Sequence, residues 1–432
     1  MITAMAADEE PPYERAPYGA DQSERPPAPP GGGRRRFRFG RRFLLIGSGV
    51  LAFLLIAAGG LLWYGYQKLD GNIGRDTRTG ELLRQQESER PSRSAAAGSA
   101  QNILLIGSDD RSGANAAYGA AGGQRSDTTI LLHLAADRRH ATAVSIPRDL
   151  MVTVPPCRLP DGTRSGTRFI QFNWAFELGG AACAIRAVEK MSGIRVDHHL
   201  ILDFTGFKKM VEAVDGVEVC VPHAIHDKDA QLDLPAGRQT LNGEQALGYV
   251  RARETLGDGS DTQRMGRQQL FLASLIRKVQ SQGVLLDPTK LWPLLSAATS
   301  AITADEGLSH LSALYDLAQD LRSTDPESIV FLTAPRRPYP SDWNRDELVQ
   351  PQADQLFAAL RADRVVEVRP YQSASPTPTP APAPSPVDDP SGDPSSGPTP
   401  DGGSPSASVT ALPETSPTLE GQRATQEVCP MH

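Results

Sequence analysis

Aspartate and arginine meet at the ends of three apolar runs. In NILLIGSDDR (residues 102–111) Asp109 and Arg111 follow the run. In GQRSDTTILLHL (residues 123–134) Arg125 and Asp127 precede it, and in TAVSIPRD (residues 142–149) Arg148 and Asp149 follow it. Each run reads as a buried strand that meets charge with no polar buffer. Carboxylates hold hard cations, and arginines grip phosphate oxygens in pairs. The combination suits a divalent cation, Mg2+ or Mn2+, holding a phosphorylated ligand. A single such pair would be an ordinary surface salt bridge. Repetition at three strand ends favours a site, because strand ends in open α/β sheets are where ligands bind.

A second arginine run lies in RARETLGDGSDTQRMGRQQLFLASLIRKVQ (residues 251–280). Arg251 and Arg253 fall on one side of an extended segment. Asp261 can cap a long helix reaching about residue 282, with Gly283 after it. Arg264, Arg267 and Gln268 fall at three- and four-residue spacings and crowd one patch at that helix start. Free N–H groups and the helix dipole favour anions there, so the patch suits phosphate.

The elements that must position these groups are readable from periodicity. Only Ala135 to His140 join the second and third runs, too few for a crossover helix, so that pair is expected to be an antiparallel hairpin. If the first run is antiparallel to the second, all six charged residues meet at one sheet edge. Residues 172–193 have helical spacing loosened at Gly179 and Gly180. HHLILDF (residues 198–204) reads as a strand, and residues 205–216 as an amphipathic helix ending at Gly216. VEVCVP (residues 217–222) is another strand. Asn242 and Gln245 form a capping-box pattern before a short helix. ESIVFLTAP (residues 327–335) reads as the last strand, with a helix near residues 350–361. The fold class is α/β: a mixed central β-sheet flanked by helices, an α-β-α sandwich.

Composition divides the 432 residues unevenly. The net charge of -7 averages over unlike regions and hides the basic block RRRFRFGRR at residues 34–42. Residues 1–42 read as a disordered cytoplasmic segment with a basic end. Residues 43–66 carry no charge and are long enough to span a bilayer, with Trp63, Tyr64 and Tyr66 suited to the far interface. They are late and long for a cleaved signal and lack a convincing cleavage site. Residues 67–100 read as a polar stalk, 101–365 as a single extracellular domain, and 366–432 as a disordered tail rich in Pro, Ser and Thr. That topology puts four cysteines in an oxidising compartment. Cys157–Cys183 is the favoured pair, with Cys220 a buried strand thiol, although sequence alone does not fix connectivity.

Other residues read more plainly. His223 and His226 have no third ligand nearby, and no G-x-S-x-G elbow or HExxH occurs. Lys208 and Lys209 read as the solvated face of a helix. Phe172, Trp174 and Phe176 read as core, although a lipid groove would use the same residue types.

NILLIGSDDR, RSDTTILLHL, VSIPRDLMV, FNWAFELGG and YVRARETLGDGSDTQRMGRQQ, in this order, resemble the LytR-CpsA-Psr family of cell-wall ligases. The resemblance covers residues 101–280 and, more weakly, continues to about residue 363. It implies transfer of a glycopolymer from a polyprenyl-pyrophosphate carrier onto a peptidoglycan acceptor at the cytoplasmic membrane. By that resemblance Asp109 and Asp127 are magnesium-associated carboxylates. Arg125, Arg148, Arg251, Arg253, Arg264 and Gln268 resemble the pyrophosphate-binding and catalytic set; Arg111, Asp149 and Arg267 belong to the same motifs. Asp127 and Asp149 are both candidates for the base. Many members have Lys-Ile-Asn-x-Ala where this chain has Gln171-Phe172-Asn173-Trp174-Ala175, which puts a lysine contact in doubt. Many actinobacterial members also carry a folded C-terminal domain, where this chain has only the Pro-rich tail.

The charge chemistry agrees, since magnesium and arginines would stabilise negative charge developing on a leaving lipid phosphate. A hydrolase using water as acceptor, or a scaffold that binds polymer without turnover, would use the same residues. Nucleic acid is not an expected partner, because the anchor places the domain across the membrane from it.

Overall fold

The computed structural model describes residues 37–109, 126–252, 261–281, 288–370 and 417–425. Its N-terminal unit ends at Leu62 and the second unit begins at Trp63. Helix α1 (Phe37–Asn72) crosses that boundary. Its segment Phe43–Asn72 is long and apolar enough to cross a membrane, with mean hydropathy 2.3 and none of that window buried. Leu44, Ile56 and Leu62 stand fully out from the helix. A continuous apolar surface of that kind is what a hydrocarbon environment requires.

The second unit is built on a nine-stranded mixed sheet. In chain order its first members are β1 (Gly74–Arg75), β2 (Gln101–Ser108), β3 (Ser126–Leu134) and β4 (Ala141–Ile146), with α2 (Thr77–Arg84) after β1. A hairpin follows, β5 (Met151–Val154) and β6 (Arg168–Gln171), leading into α3 (Phe172–Ser192). Next come β7 (His198–Leu202), α4 (Phe204–Ala213), β8 (Val217–Val221), β9 (Ile225–Asp227), β10 (Leu232–Leu234), β11 (Gly237–Leu241) and α5 (Gly243–Arg251). After them are α6 (Asp261–Ser281), α7 (Pro288–Ala301), β12 (Ile302–Ala304), α8 (Leu311–Ser323) and β13 (Ile329–Thr333). The last are the hairpin β14 (Arg336–Tyr339) and β15 (Asp342–Leu348), α9 (Gln352–Arg361), β16 (Glu367–Arg369) and β17 (Thr418–Arg423). The sheet order is β1-β12-β7-β2-β3-β4-β13-β17-β16.

The strands that carry the charged ends pair as their lengths require. β2 and β3 are antiparallel, with Ile103 opposite Leu132, and β3 and β4 form the expected antiparallel hairpin. β7 runs parallel to β2, and β13 parallel to β4. Alternation sends successive side chains to opposite faces. Leu104, Ile106, Leu131 and Val144 join Ile185 and Val188 of α3 and Phe357 of α9 in one core. Ile103, Ile130, Leu132 and Ala143 join Ala273 of α6 and side chains of α8 in the other. Both faces are covered, which is why these strands read as unbroken apolar runs. The expected α-β-α sandwich is the observed one. A smaller core ties α4, α5, β8 and β10 to Phe271 of α6.

Local signals held where a specific backbone need lay behind them. The capping box of Asn242 and Gln245 is present. The loosened stretch of α3 is a kink at Gly179 and Gly180, and Gly180 has φ +64 and ψ −155, a region that side chains with a Cβ avoid. Cys157 and Cys183 form the expected disulfide, Cα atoms 5.5 Å apart.

Four expectations are corrected. Residues 67–100 are not a free stalk: Leu69, Ile73, Leu82 and Leu83 are buried, and β1 pairs with β12. A few apolar residues in a polar stretch do this, and average composition hides them. Cys220 is not a free thiol but disulfide-bonded. β13 is not the last strand, since a hairpin and two further strands follow it. The region read as a disordered tail contains β16 and supplies β17, which lies between β13 and β16. Gly421 allows this: a Cβ there would stand 2.6 Å from the Phe331 carbonyl oxygen.

Candidate functional site

The strand ends converge as the charge pattern suggested. Asp109 directly follows β2 and is 7% exposed. Opposite it the ladder is irregular: Gly107 pairs with Thr128 and Ser108 with Ser126, leaving Asp127 bulged between them. A bulge re-aims a side chain, and here it turns a strand residue into a site residue. Arg148, just past β4, donates from Nη1 to Asp127 Oδ1 and from Nε to Asp149 Oδ2, both at 3.1 Å. Gln171 donates to Asp149 Oδ1 at 2.7 Å. It fixes Asp149 through a neutral donor.

The second arginine run meets the first. Arg251 ends α5, its Cζ 4.9 Å from the centre of the Phe204 ring, a cation–π contact. Arg264 is almost fully buried near the start of α6. Asp127, Arg148, Arg264 and Gln268 line one narrow cleft. Gln268 donates to the Val250 carbonyl at 3.0 Å, and Arg267 donates to the Ala252 carbonyl. Arg267 therefore ties α6 to the end of α5, and it is absent from the walls of both the cleft and the cavity beside it. Arg111, Arg125 and Arg253 lie outside the described residues.

Beside the cleft lies a cavity of about 570 Å³. Leu105, Ile130 and Leu200 of the sheet, Phe204 and Phe207 of α4, and Phe271 of α6 give it apolar walls. Asp127, Arg148, Arg251, Arg264 and Gln268 line it as well. Asp203, Asp227 and Asp229 also line it, so the site combines an apolar chamber with three arginines set among carboxylates, and the arginines suit an amphiphile with an anionic head. Phe172 and Phe176 are buried in the main core, as their pattern suggested, whereas Trp174 is exposed. Lys209 is exposed as expected, whereas Lys208 pairs with Glu244 at 2.7 Å.

Among the described residues no three His, Cys, Asp or Glu side chains converge as a metal cage. The exposed His226 pairs with Asp233. Asp109 and Asp127, on adjoining strand ends, fit a different arrangement, in which a hard cation takes one or two carboxylates and completes its shell with water and phosphate oxygens. A carboxylate as buried as Asp109 also calls for positive or hydrogen-bonding neighbours.

Sequence reasoning missed a buried polar link behind the site. Gln269 is fully buried and donates to Ser145 Oγ at 2.9 Å and to Thr333 Oγ1 at 3.2 Å, joining α6 to β4 and β13. It also missed the histidine–carboxylate pairs at the opposite sheet end. His199 bonds Asp76 at 3.0 Å. Burial alone would raise the Asp76 carboxyl, but hydrogen bonds from His199 and Thr79 outweigh it and hold it at about 2.

The architecture defines a mixed α/β sandwich with charged strand ends over an apolar chamber. The chain belongs to the LytR_cpsA_psr family, whose model matches residues 68–362. It is 37% identical over 229 residues to the "Probable cell wall biosynthesis protein LcpB" of Corynebacterium glutamicum, covering 51% of this chain and 52% of that protein. It is 30% identical over 254 residues to the "Polyisoprenyl-teichoic acid--peptidoglycan teichoic acid transferase TagT" of Bacillus subtilis, covering 57% of this chain and 74% of that one. The chain spans little more than half the length of the corynebacterial relatives it matches. The "LytR-Csp2A-Psr enzyme from Actinomyces oris" shares the fold, at TM-score 0.50 and 22% identity over 63% of this chain and 93% of that structure.

Proposed function

We propose that this protein transfers a glycopolymer from a polyprenyl-pyrophosphate carrier onto peptidoglycan. The observation that carries the reading is the junction of the apolar cavity with the cleft holding Asp127, Arg148, Arg264 and Gln268. A polyprenyl chain suits the cavity, and its pyrophosphate suits the arginines. Arg148, Arg251 and Arg264 bind phosphate oxygens and neutralise the charge that develops as the lipid phosphate leaves. Asp109 and Asp127 would hold a magnesium or manganese ion, which when bound supplies further charge neutralisation at the phosphates. Asp127 and Asp149, both bonded to Arg148, are the two candidates to orient or deprotonate the attacking hydroxyl. Relatives named as peptidoglycan transferases support the reaction class.

We further infer that α1 anchors the protein with its basic end in the cytoplasm and its catalytic unit outside. The arginines before Phe43 favour that orientation, and the disulfide fits an oxidising compartment. The test is release of polyprenyl phosphate from a lipid-linked glycan, with and without peptidoglycan, and with chelator. Covalent transfer to peptidoglycan that chelator abolishes is expected. Release that yields only free glycan phosphate, even with peptidoglycan present, would instead identify a hydrolase. Binding without release would identify a scaffold.

A further inference from the structure

Four aromatic side chains at the rim of the site remain outside the core. Trp343 is 81% exposed, Phe169 54% and Trp174 44%, and Tyr339 is half-buried. One exposed aromatic residue is ordinary. Three of these lie on two hairpins that meet, and the fourth, Trp174, follows directly after one of them. The rings of Phe169 on β6 and Tyr339 on β14 lie 6.2 Å apart. Trp343 sits just past the β14–β15 turn, and Trp174 in the first turn of α3, directly after β6.

Both hairpins are fixed to the charged cluster by backbone contacts. The Asp346 N–H donates to the Asp149 carbonyl at 3.1 Å, and the Asn173 N–H to the Arg148 carbonyl at 3.0 Å. Leu150 bridges Asp346, whose carboxylate is held by Arg336. A ligand resting on these rings would therefore lie at a set offset from Arg148 and Asp149.

The two sides of the site differ in chemistry. The apolar cavity lies against β7, β2 and β3, whereas the hairpins leave from the ends of β4 and β13, the next strands across the sheet. Attacking and leaving oxygens stand roughly in line on opposite sides of the transferred phosphorus. With the lipid phosphate leaving toward the cavity, the attacking hydroxyl must come from the β4–β13 side. Aromatic rings suit a sugar there, because the C–H face of a pyranose lies flat on the electron-rich ring face while its hydroxyls stay in water. Exposed aromatic surface of this kind marks an interaction site rather than a folding need.

We propose that hairpins β5–β6 and β14–β15 form an acceptor platform. Phe169, Tyr339, Trp343 and Trp174 stack on the sugar rings of a peptidoglycan glycan strand and present its hydroxyl toward Arg148 and Asp149. The direction of approach rests on the transferase reading; the binding surface can be tested apart from it. The probe is a set of glycan oligosaccharides, cut from peptidoglycan by partial muramidase digestion and freed of stem peptides by an amidase, titrated calorimetrically into the full-length protein in detergent. Polyprenyl phosphate release without acceptor is measured in parallel.

Wild type should bind the oligosaccharides. Trp343→Ala and Phe169→Ala should each weaken binding by on the order of tenfold, the worth of one good ring contact, with acceptor-free release and melting temperature unchanged. Trp343→Phe should regain most of the affinity. Failure of wild type to bind, or wild-type affinity in both alanine variants, overturns the platform. So does a weakened KM for the lipid-linked donor in place of the glycan. Ring-dependent glycan binding without any lipid phosphate release would keep the platform and sink the transferase reading. Release with ring-independent glycan binding would do the reverse.

Discussion

Arg148 is the residue through which the charged groups of the site communicate, since one guanidinium joins two carboxylates that come from different strands. All three side chains are partly open to solvent, so their mutual attraction is screened and contributes little to folding. Arg148→Ala should therefore stay folded and lose turnover. An arginine on a phosphate contributes about 1.5–3 kcal/mol, so a fall of roughly ten- to a hundredfold in polyprenyl phosphate release is expected. Arg148→Lys should recover only part, because an ammonium lacks the planar fork. Lys209→Ala, on an exposed helix face, is the matched control. Full activity in Arg148→Ala would remove it from the site. A second residue-level expectation concerns acid stability. Asp76 is held below its unfolded value, so its contribution is present above about pH 4 and lost as pH falls toward 2. Asp76→Asn should flatten that limb of the stability–pH curve, measured by urea unfolding. An unchanged acid limb would count against it. The strand-end pairs were legible because charge beside an apolar run is rare. The partners of Gln171 and Gln269 were not, since nothing in a lone glutamine says which distant carboxylate or hydroxyl it will reach.

Elements were legible where periodicity and a stop signal agreed. α3 shows both what could and what could not be read. Its helical spacing and the glycine pair were visible, yet the sequence does not say that Gly180 carries a positive φ or that the kink delivers Cys183 to Cys157. Gly180→Ala should cost about 1–2 kcal/mol, because the backbone region it occupies penalises any Cβ. The chemical denaturation midpoint measures this. A neutral effect would mean that the kink relaxes into a regular helix. The β14–β15 hairpin was hidden for a different reason. RRPY and DWNRDEL lack an apolar face, because this ribbon lies over the rim of the site rather than within the sheet. α4 illustrates a third case: its amphipathic pattern was clear, but only the fold shows that Phe204 and Phe207 wall a cavity instead of filling a core.

At the scale of the whole molecule, the chain returns to its sheet after a long Pro-, Ser- and Thr-rich excursion. β17 runs antiparallel to β13, pairing Val330 with Arg423 and Leu332 with Gly421, and parallel to β16. Composition could not reveal this, because six residues of ordinary character are averaged into a long polar segment. Their anchoring is specific. Leu419 is buried in the main core, Arg277 of α6 donates to the Ala424 carbonyl, and Arg423 donates to the Glu327 carbonyl. Gln422 reaches Gln269 at 3.4 Å, behind the site. Removing residues 417–432 should therefore uncover the edge of β13 and take the Leu419 side chain out of the main core. Burial of one leucine alone contributes about 1.5–3 kcal/mol, and lost ladder hydrogen bonds add to it. For a unit of this size each kcal/mol moves Tm by about 2–4 °C, so a fall on the order of 5–10 °C is expected. The bare β13 edge should also favour self-association, visible by light scattering. Gly421→Val in the full chain should reproduce much of the loss, since its side chain would be forced against the Phe331 carbonyl and Val368. Unchanged melting in both variants would mean that β17 adds nothing to the stability of the sheet. A fall in Tm accompanied by slower turnover would show that the strand supports the site through Gln422, Gln269 and Ser145 at the end of β4.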